Sequence, residues 1–370
     1  MTDDQLLDDI LLSSVKGIGS RTYQNLIERF GSPSAVLNAA RHELNGFEFY
    51  DRNTINNLLS AKKDFDAKAI LQLCRSEKIE IISLRDERYP APLKTISDPS
   101  PLLYVQGKVI PSDAFSIAVL GTRRATSYGL KHTERLTAGL SRCGFAIISG
   151  LARGIDTAAH KTALKTGGRT LAVLGCGHLK MYPPENKPLA DEIVQSGGAV
   201  ISEYPPLFSS TSWTFPQRNR IVSGLSLGVL VVEAPLKSGA MISARLAGEQ
   251  GRDIFAVPGP AQSEMSRGCH QLIRNGAYLA DSIEDITSVL GPLTAPVSLF
   301  QNEKPLRHTA EISLNEIERL VLKYLKTKPV PLEYIAEQTG LHKQQVLAAL
   351  SVLENKRIIR RTSDGHLVVV

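Results

Sequence analysis

Ser116-Ile-Ala-Val-Leu-Gly-Thr-Arg-Arg124 sets an apolar run directly against a glycine, a hydroxyl and two arginines. A run of this kind, apolar at every step, is what a strand covered on both faces requires, as in a parallel sheet. The pattern recurs at 145–149, 170–174, 199–202, 227–232 and 254–257, most continuously in Val229-Leu-Val-Val232. Helical stretches such as 131–141 and 157–165 fall between the runs. Strands alternating with helices predict an α/β domain built on a doubly wound parallel sheet. Its ligand belongs off the carboxyl ends of the strands, beside the switch in strand order.

The residues that follow each predicted strand suit that placement. The first strand leads into Gly121-Thr-Arg-Arg124 and the second into Gly150-Leu-Ala-Arg-Gly-Ile-Asp156. The third runs into Gly175-Cys-Gly177 and, shortly after, Tyr182-Pro-Pro-Glu-Asn-Lys187. Glu203-Tyr-Pro-Pro206 follows the fourth; the fifth ends in Glu233, with Lys237-Ser-Gly-Ala240 opening a helix; Pro258-Gly-Pro260 follows the sixth. Glycine lets backbone come close to a ligand, and helix N-termini favour anions. Ahead of the fifth strand, Phe215-Pro-Gln-Arg-Asn-Arg-Ile-Val-Ser223 reads as a loop, because two arginines flanking an asparagine are poor core material and good material for holding phosphate.

At 370 residues, 42% hydrophobic and 22% charged, the chain has the composition of a soluble globular protein of two or three domains. A net charge of +6 and a pI near 9.0 lean toward a polyanionic partner. Cys74, Cys143, Cys176 and Cys269 show no paired C-x-x-C spacing. That argues against a zinc ribbon or a disulfide framework and fits a reducing cytosol, with each cysteine expected as a small buried residue and no metal site. The polar, acidic start predicts no secretory signal, and no apolar stretch has the length to span a bilayer.

Residues 1–84 read as a helical domain. Val15-Lys-Gly-Ile-Gly-Ser20, followed by Tyr23, Leu26, Ile27 and Phe30 at helical spacing, is a helix-hairpin-helix (SAM-like) pattern, able to meet a nucleic-acid phosphate or to serve as a plain helical connector. A β-like piece at 79–84 and a proline-rich strap at 85–107 join it to the central domain, 85–290. A linker at 291–312 precedes helices and a hairpin at 313–370, the winged-helix pattern, with Lys343, Gln344 and Gln345 opening the would-be recognition helix. That unit could contact DNA or protein.

No G-x-G-x-x-G follows the first strand and no G-x-x-x-x-G-K-[ST] occurs, so nicotinamide chemistry and ATP hydrolysis are disfavoured and no cofactor is expected. Asp156 and His160 share a helix face, but His160 sits among alanines, as a packed or capping residue would, and Asp156 is placed to cap its helix or to pair with the helix dipole. Glu203, Glu233 and Glu249 lie near strand ends or in the helices after them. Phosphate-holding residues without a convincing nucleophile or base describe a binding site.

The strand-end motifs resemble the DNA-processing protein A family, DprA/Smf. Gly121-Thr-Arg-Arg124 and the residues to Gly129, Ser149-Gly-Leu-Ala-Arg-Gly-Ile-Asp156 with Ala158-Ala-His160, Tyr182-Pro-Pro-Glu-Asn186 and Lys237-Ser-Gly239 match, as do Phe215-Pro-Gln-Arg-Asn-Arg220, Gly248-Glu-Gln-Gly-Arg-Asp253 and Gly268-Cys-His-Gln-Leu-Ile273. The match spans 85–285, and the flanking units resemble the family's accessory domains. The resemblance implies a cytoplasmic, non-enzymatic bacterial protein with a Rossmann-like domain that dimerises, binds single-stranded DNA without sequence preference and loads the recombinase RecA during natural transformation. By position, Arg123 and Arg124 would hold phosphate, and Gly121 and Thr122 would add backbone and hydroxyl groups. Lys187 would be a further basic contact, and Arg218, Asn219, Lys237, Ser238 and Gly239 would complete the pocket. Gly150, Arg153, Tyr182, Asn186 and Arg220 join the expected DNA-contacting set. Tyr182, Phe208, Trp213 and Phe215 are candidate stacking platforms, with core packing favoured for Phe215. Two other classes compete: a hydrolase of nucleoside monophosphates, whose Pro-Gly-Gly-x-Gly-Thr-x-x-Glu run is replaced here by Pro258-Gly-Pro260, and a winged-helix regulator of duplex DNA.

Overall fold

The computed structural model describes residues 1–44 and 52–291, and beyond them Gln338, Thr339, Val346, Leu350 and two short strands. The chain divides into the compact units Met1–Pro296 and Val297–Val370.

The first unit opens with helices α1 Asp3–Ser13, α2 Ser20–Phe30, α3 Pro33–Asn38, α4 Arg41–Leu44, α5 Arg52–Asp64 and α6 Ala67–Ser76. A reciprocal cap starts α1: Thr2 Oγ1 accepts from the Gln5 amide and Gln5 Oε1 from the Thr2 amide. The α1–α2 turn contains Gly17 at φ +98°, where a Cβ would lie 2.2 Å from Thr54 Oγ1. Ile10, Leu12, Tyr23, Leu26 and Cys74 form the core. Asp9, fully buried there, accepts from the Tyr23 hydroxyl and from Arg85 Nη2 at 2.9 Å, which offsets its desolvation.

The same unit holds a nine-stranded sheet made of β1 Ile79–Ser83, β2 Leu102–Gly107, β3 Ser116–Gly121, β4 Ala146–Ser149, β5 Thr170–Leu174, β6 Ala199–Ser202, β7 Gly228–Glu233, β8 Asp253–Ala256 and β9 Tyr278–Leu279. Its order is β1-β2-β6-β5-β4-β3-β7-β8-β9, antiparallel at β1–β2 and β2–β6 and parallel elsewhere. The parallel part is the doubly wound sheet the sequence predicts. The antiparallel edge is an addition, because part of the proline-rich strap is strand β2. Leu102 and Tyr104 face the helical core while Leu103 and Val105 face the central one, so an apolar run without alternation is a strand buried on both sides.

The chain steps outward from β3 through β6 and then returns to the other side of β3 as β7, which puts the switch point between β3 and β7. Of the remaining helices, α7 is Ala91–Lys94, α8 Ser127–Arg142, α9 Ile155–Lys165, α10 Lys187–Gln195, α11 Thr214–Leu225, α12 Gly239–Glu249, α13 Arg267–Arg274 and α14 Glu284–Leu290. Helices α8 and α9 cover the face that carries Ile117 and Val119, whereas α11, α12 and α13 cover the face that carries Ala118 and Leu120.

The segment 215–223, expected as a loop, is the body of α11. Pro216 sits in the first turn, where its missing N–H leaves no helical bond unmade. Arg218, Asn219 and Arg220 are buried rather than looped out, because their polar ends find partners on other elements. The cysteines are free; Cys143, expected to be buried, is exposed in the turn after α8. Among the described residues no helix is long and apolar enough to cross a membrane, and no cluster of His, Cys, Asp or Glu could hold a metal.

In the second unit β10 Ile359–Arg361 pairs antiparallel with β11 Leu367–Val369. Most of the expected linker and the predicted helices of 313–370, with Lys343, Gln344 and Gln345, lie outside the described residues.

Candidate nucleic-acid interface

At the switch point, a cleft of about 320 Å³ opens over the ends of β3 and β7. Its first wall is the turn Thr122–Arg124. The Thr122 amide donates to Glu233 O at 2.7 Å and the Arg124 amide to Thr122 Oγ1 at 3.2 Å. Gly121 is obligatory, since a Cβ there would sit 2.4 Å from Ile155 Cγ1 and 2.9 Å from Glu233 O. The Glu233 carboxylate accepts from the Thr126 amide and hydroxyl at 2.9 and 2.7 Å. This candidate base therefore anchors the start of α8, leaving Arg123 and Arg124 exposed at the mouth.

The floor is Arg218, 5% exposed, whose Nη1 donates to Gly150 O at 2.5 Å and to Val173 O. A Cβ on Gly150 would overlap that guanidinium at 2.4 Å, so glycine is what lets Arg218 lie across the strand ends. Asp156, beneath it, accepts from the Gly150 and Ala152 amides at 3.1 and 3.4 Å. Burial pushes its pKa up to about 6, against the pull of the Arg218 charge. His160 is fully buried with Nδ1 2.7 Å from Thr170 Oγ1, the packed role its alanine neighbours predict.

The opposite wall is the N-terminus of α12. Lys237 is exposed, Gly239 meets open space, and Asn219 Nδ2 donates to Gly239 O at 3.3 Å. Ser238 Oγ, buried in the lining, makes no hydrogen bond within the described protein. First-turn amides, that hydroxyl, Arg123, Arg124, Lys237 and Arg218 converge on one volume, a donor-rich and positive environment suited to phosphate.

Beside the cleft, cations and rings alternate. Arg123 lies 5.0 Å over the Phe215 ring, Phe215 is 5.8 Å from Tyr182, and Arg153 lies 5.7 Å over Tyr182. Tyr182 is 39% exposed, with the Arg153 guanidinium over its ring, the mixture of cation and ring that single-strand binders use. Trp213, 55% exposed, meets Phe208 edge-on at 6.4 Å in a separate aromatic group.

Two family models match the chain: DNA recombination-mediator protein A over residues 80–291, and the DprA winged helix domain over 305–365. The chain belongs to the DNA recombination-mediator protein A family. It is 38% identical over 293 residues to Protein Smf of Escherichia coli, covering 78% of this chain and 76% of that one. It is 42% identical over 210 residues to DNA processing protein DprA of Streptococcus pneumoniae, covering 57% and 74%. The X-ray structure of the Streptococcus pneumoniae protein superposes with a TM-score of 0.65 at 33% identity, over 78% of this chain and 98% of that one. DNA processing protein A of Helicobacter pylori, whose structure describes a single-stranded DNA binding mode, gives 0.52 at 32% identity, over 58% and 96%.

Within this member of the DNA recombination-mediator protein A family, the cleft gathers Gly121, Thr122, Arg123, Arg124, Arg218, Asn219, Lys237, Ser238 and Gly239. Gly150, Arg153 and Tyr182 line the adjoining depression. The other expected residues stand apart. Asn186 is buried and donates to Leu151 O and Thr157 Oγ1 at 2.8 and 2.9 Å. Arg220 is buried in ion pairs with Glu203 and, at 3.4 Å, Asp98. Lys187 is exposed and pairs with Asp191 at 3.3 Å. The sequence reading did not foresee Glu233 as the anchor of α8; its only signal was a carboxylate at a strand end.

The buried titratable groups give stability a pH dependence. Burial holds His160 at about 3 and His178 at about 4, so both stay neutral when folded, and stability falls as pH drops below the ordinary histidine range. Asp156, raised to about 6, acts in the opposite sense: its favourable contribution is complete below the ordinary aspartate value and lost as pH rises through 6. Glu203, largely buried, is raised by that burial too, so the two carboxylates offset part of what the histidines lose on acidification. Substitution isolates the His160 share: below about pH 6 the parent should lose stability to urea by about 1.4 kcal/mol per pH unit more than His160→Asn. Equal pH dependence of the two proteins would remove His160 from the account.

Proposed function

We propose that the cleft between β3 and β7 binds the backbone of single-stranded DNA, with bases stacking on the rings beside it. The observation that carries this reading is the convergence of Arg123, Arg124, Lys237 and the α12 N-terminus on a cleft beside the partly exposed ring of Tyr182. Phosphate contacts give affinity without sequence information, and an exposed ring accepts any unpaired base, so binding is independent of sequence. The matched relatives, one of them described as having a single-stranded DNA binding mode, support the same assignment.

The protein acts by binding and not by catalysis. Asp156 and His160, the nearest acid–base candidates, are committed to backbone amides and to Thr170. Delivery of the bound strand to RecA in recombination and natural transformation, a homodimer, a cytoplasmic location and the division at 1–84, 85–290, 291–312 and 313–370 enter this reading from the family resemblance.

Fluorescence anisotropy of labelled single- and double-stranded oligonucleotides across a salt series tests it. Single strands of unrelated sequence should bind alike, more tightly than duplex, and weaken steeply with salt. Duplex preference retained by a chain lacking 1–290 would favour the winged-helix regulator, and release of ribose 5-phosphate from nucleoside monophosphates would favour the hydrolase.

A further inference from the structure

A larger cavity, about 740 Å³, runs along the outer surface between α8 and α9. Its floor is made of small side chains, Ala138, Ala158 and Thr162, so the two helices leave a trough over the apolar seam of Leu136, Leu140, Ala159 and Ala163 beneath. The rim carries Arg142, Lys161 and Lys165, all exposed, against the single carboxylate of Glu134. None of the three cations is ion-paired within the described protein. Lys161 and Lys165 lie four apart, on one side of α9, facing Arg142 across the trough.

The upper end of the trough lies beside the turn that forms the first wall of the cleft. Gly154, which lines that end, sits so close under the turn after β3 that a Cβ would be 2.3 Å from Thr122 O and 2.9 Å from the Arg123 carbonyl carbon. A strand leaving Arg123 and Arg124 therefore has an uncharged trough with a cationic rim directly before it. The eleven residues of α9 give it a length of about 16 Å, the reach of a few nucleotides.

We propose that the α8–α9 trough is a second backbone subsite, which takes the phosphates of a single strand as it leaves the cleft. It rests on the cleft being the primary DNA site. Arg142 and Lys165 also end their helices, where a cation interacts with the helix dipole, but that role affects stability and not DNA length dependence.

The test uses the full chain carrying Arg142→Ala/Lys161→Ala/Lys165→Ala and two oligothymidylates, of about 6 and about 15 nucleotides. The short strand, held in the cleft, should bind the variant as it binds the parent. The long strand should lose on the order of tenfold in affinity at low salt, with a salt slope shallower by ~2, from ~0.7 per phosphate released. Unchanged long-strand affinity and slope would overturn the subsite, whether or not the melting temperature moves. Arg123→Ala/Arg124→Ala, run in parallel, should weaken both strands; if the short strand ignores it, the cleft reading fails instead and takes the subsite with it.

Discussion

Arg123→Ala/Arg124→Ala is expected to lower affinity for single-stranded DNA by on the order of a hundredfold or more while leaving the fold intact. Each guanidinium stands at the mouth of the cleft, and a charge-assisted contact to a phosphate contributes roughly 1.5–3 kcal/mol. Two lost contacts amount to about 3 kcal/mol or more, at tenfold per about 1.4 kcal/mol. The salt slope should become shallower by ~1.4. Stability should hardly change, because both residues are exposed and the stack of Arg123 on Phe215 is a surface cation–π contact of about 0.5–1 kcal/mol. Lysine at both positions should recover part of the affinity, since it keeps the charge and loses the planar fork. Anisotropy with a thermal melt on the same samples decides the matter, and a double variant that binds like the parent would move the site away from this turn.

Arg218→Met should behave in the opposite way, with stability as its main casualty. The methionine keeps much of the stem's volume but leaves Gly150 O and Val173 O without their donor and removes the positive charge near buried Asp156. A buried acceptor left without its donor costs roughly 1–3 kcal/mol, and two are lost here. For a chain of this size the melting temperature should drop by on the order of 10 °C. Adding Asp156→Asn should restore part of the loss, because the buried carboxylate no longer needs compensation. A single variant that melts within a degree or so of the parent would show that Arg218 is a free ligand-binding arm and not a strut.

Arg218 also marks the limit of what the sequence discloses. The central strands are legible because burial on both faces leaves no alternation, and the cleft at their carboxyl ends is legible because glycines, hydroxyls and cations follow so many of them. Segment 215–223 was not. Two arginines suggest solvent when their partners cannot be seen, and the partners of Arg218 and Arg220 are Gly150 after β4, Val173 in β5, Glu203 and Asp98, all outside the helix itself. Strand β2 escaped notice for a related reason: prolines around it dominate the local signal, while the two cores that bury its faces are built elsewhere. Asn186 shows that a residue belonging to a motif can serve the turn and not the ligand, since both protons of its amide are donated within the protein. His160 was legible because its alanine face is local; Asp156 stands in the first turn of α9 as expected, but its carboxylate serves the Gly150 and Ala152 amides of the preceding loop and does not cap the helix.

Along α11, residues that meet the cleft and residues that hold the core follow one another without a gap: Arg218 floors the site, Asn219 reaches the start of α12, and Arg220 closes a buried ion pair. Genetics inherits this arrangement. If the cleft is the DNA site, a screen for alleles that accumulate normally in the cell yet fail to retain DNA should draw its separation-of-function alleles from the turn after β3 and from Lys237, whereas substitutions along this helix should deplete the protein before any binding defect can be scored.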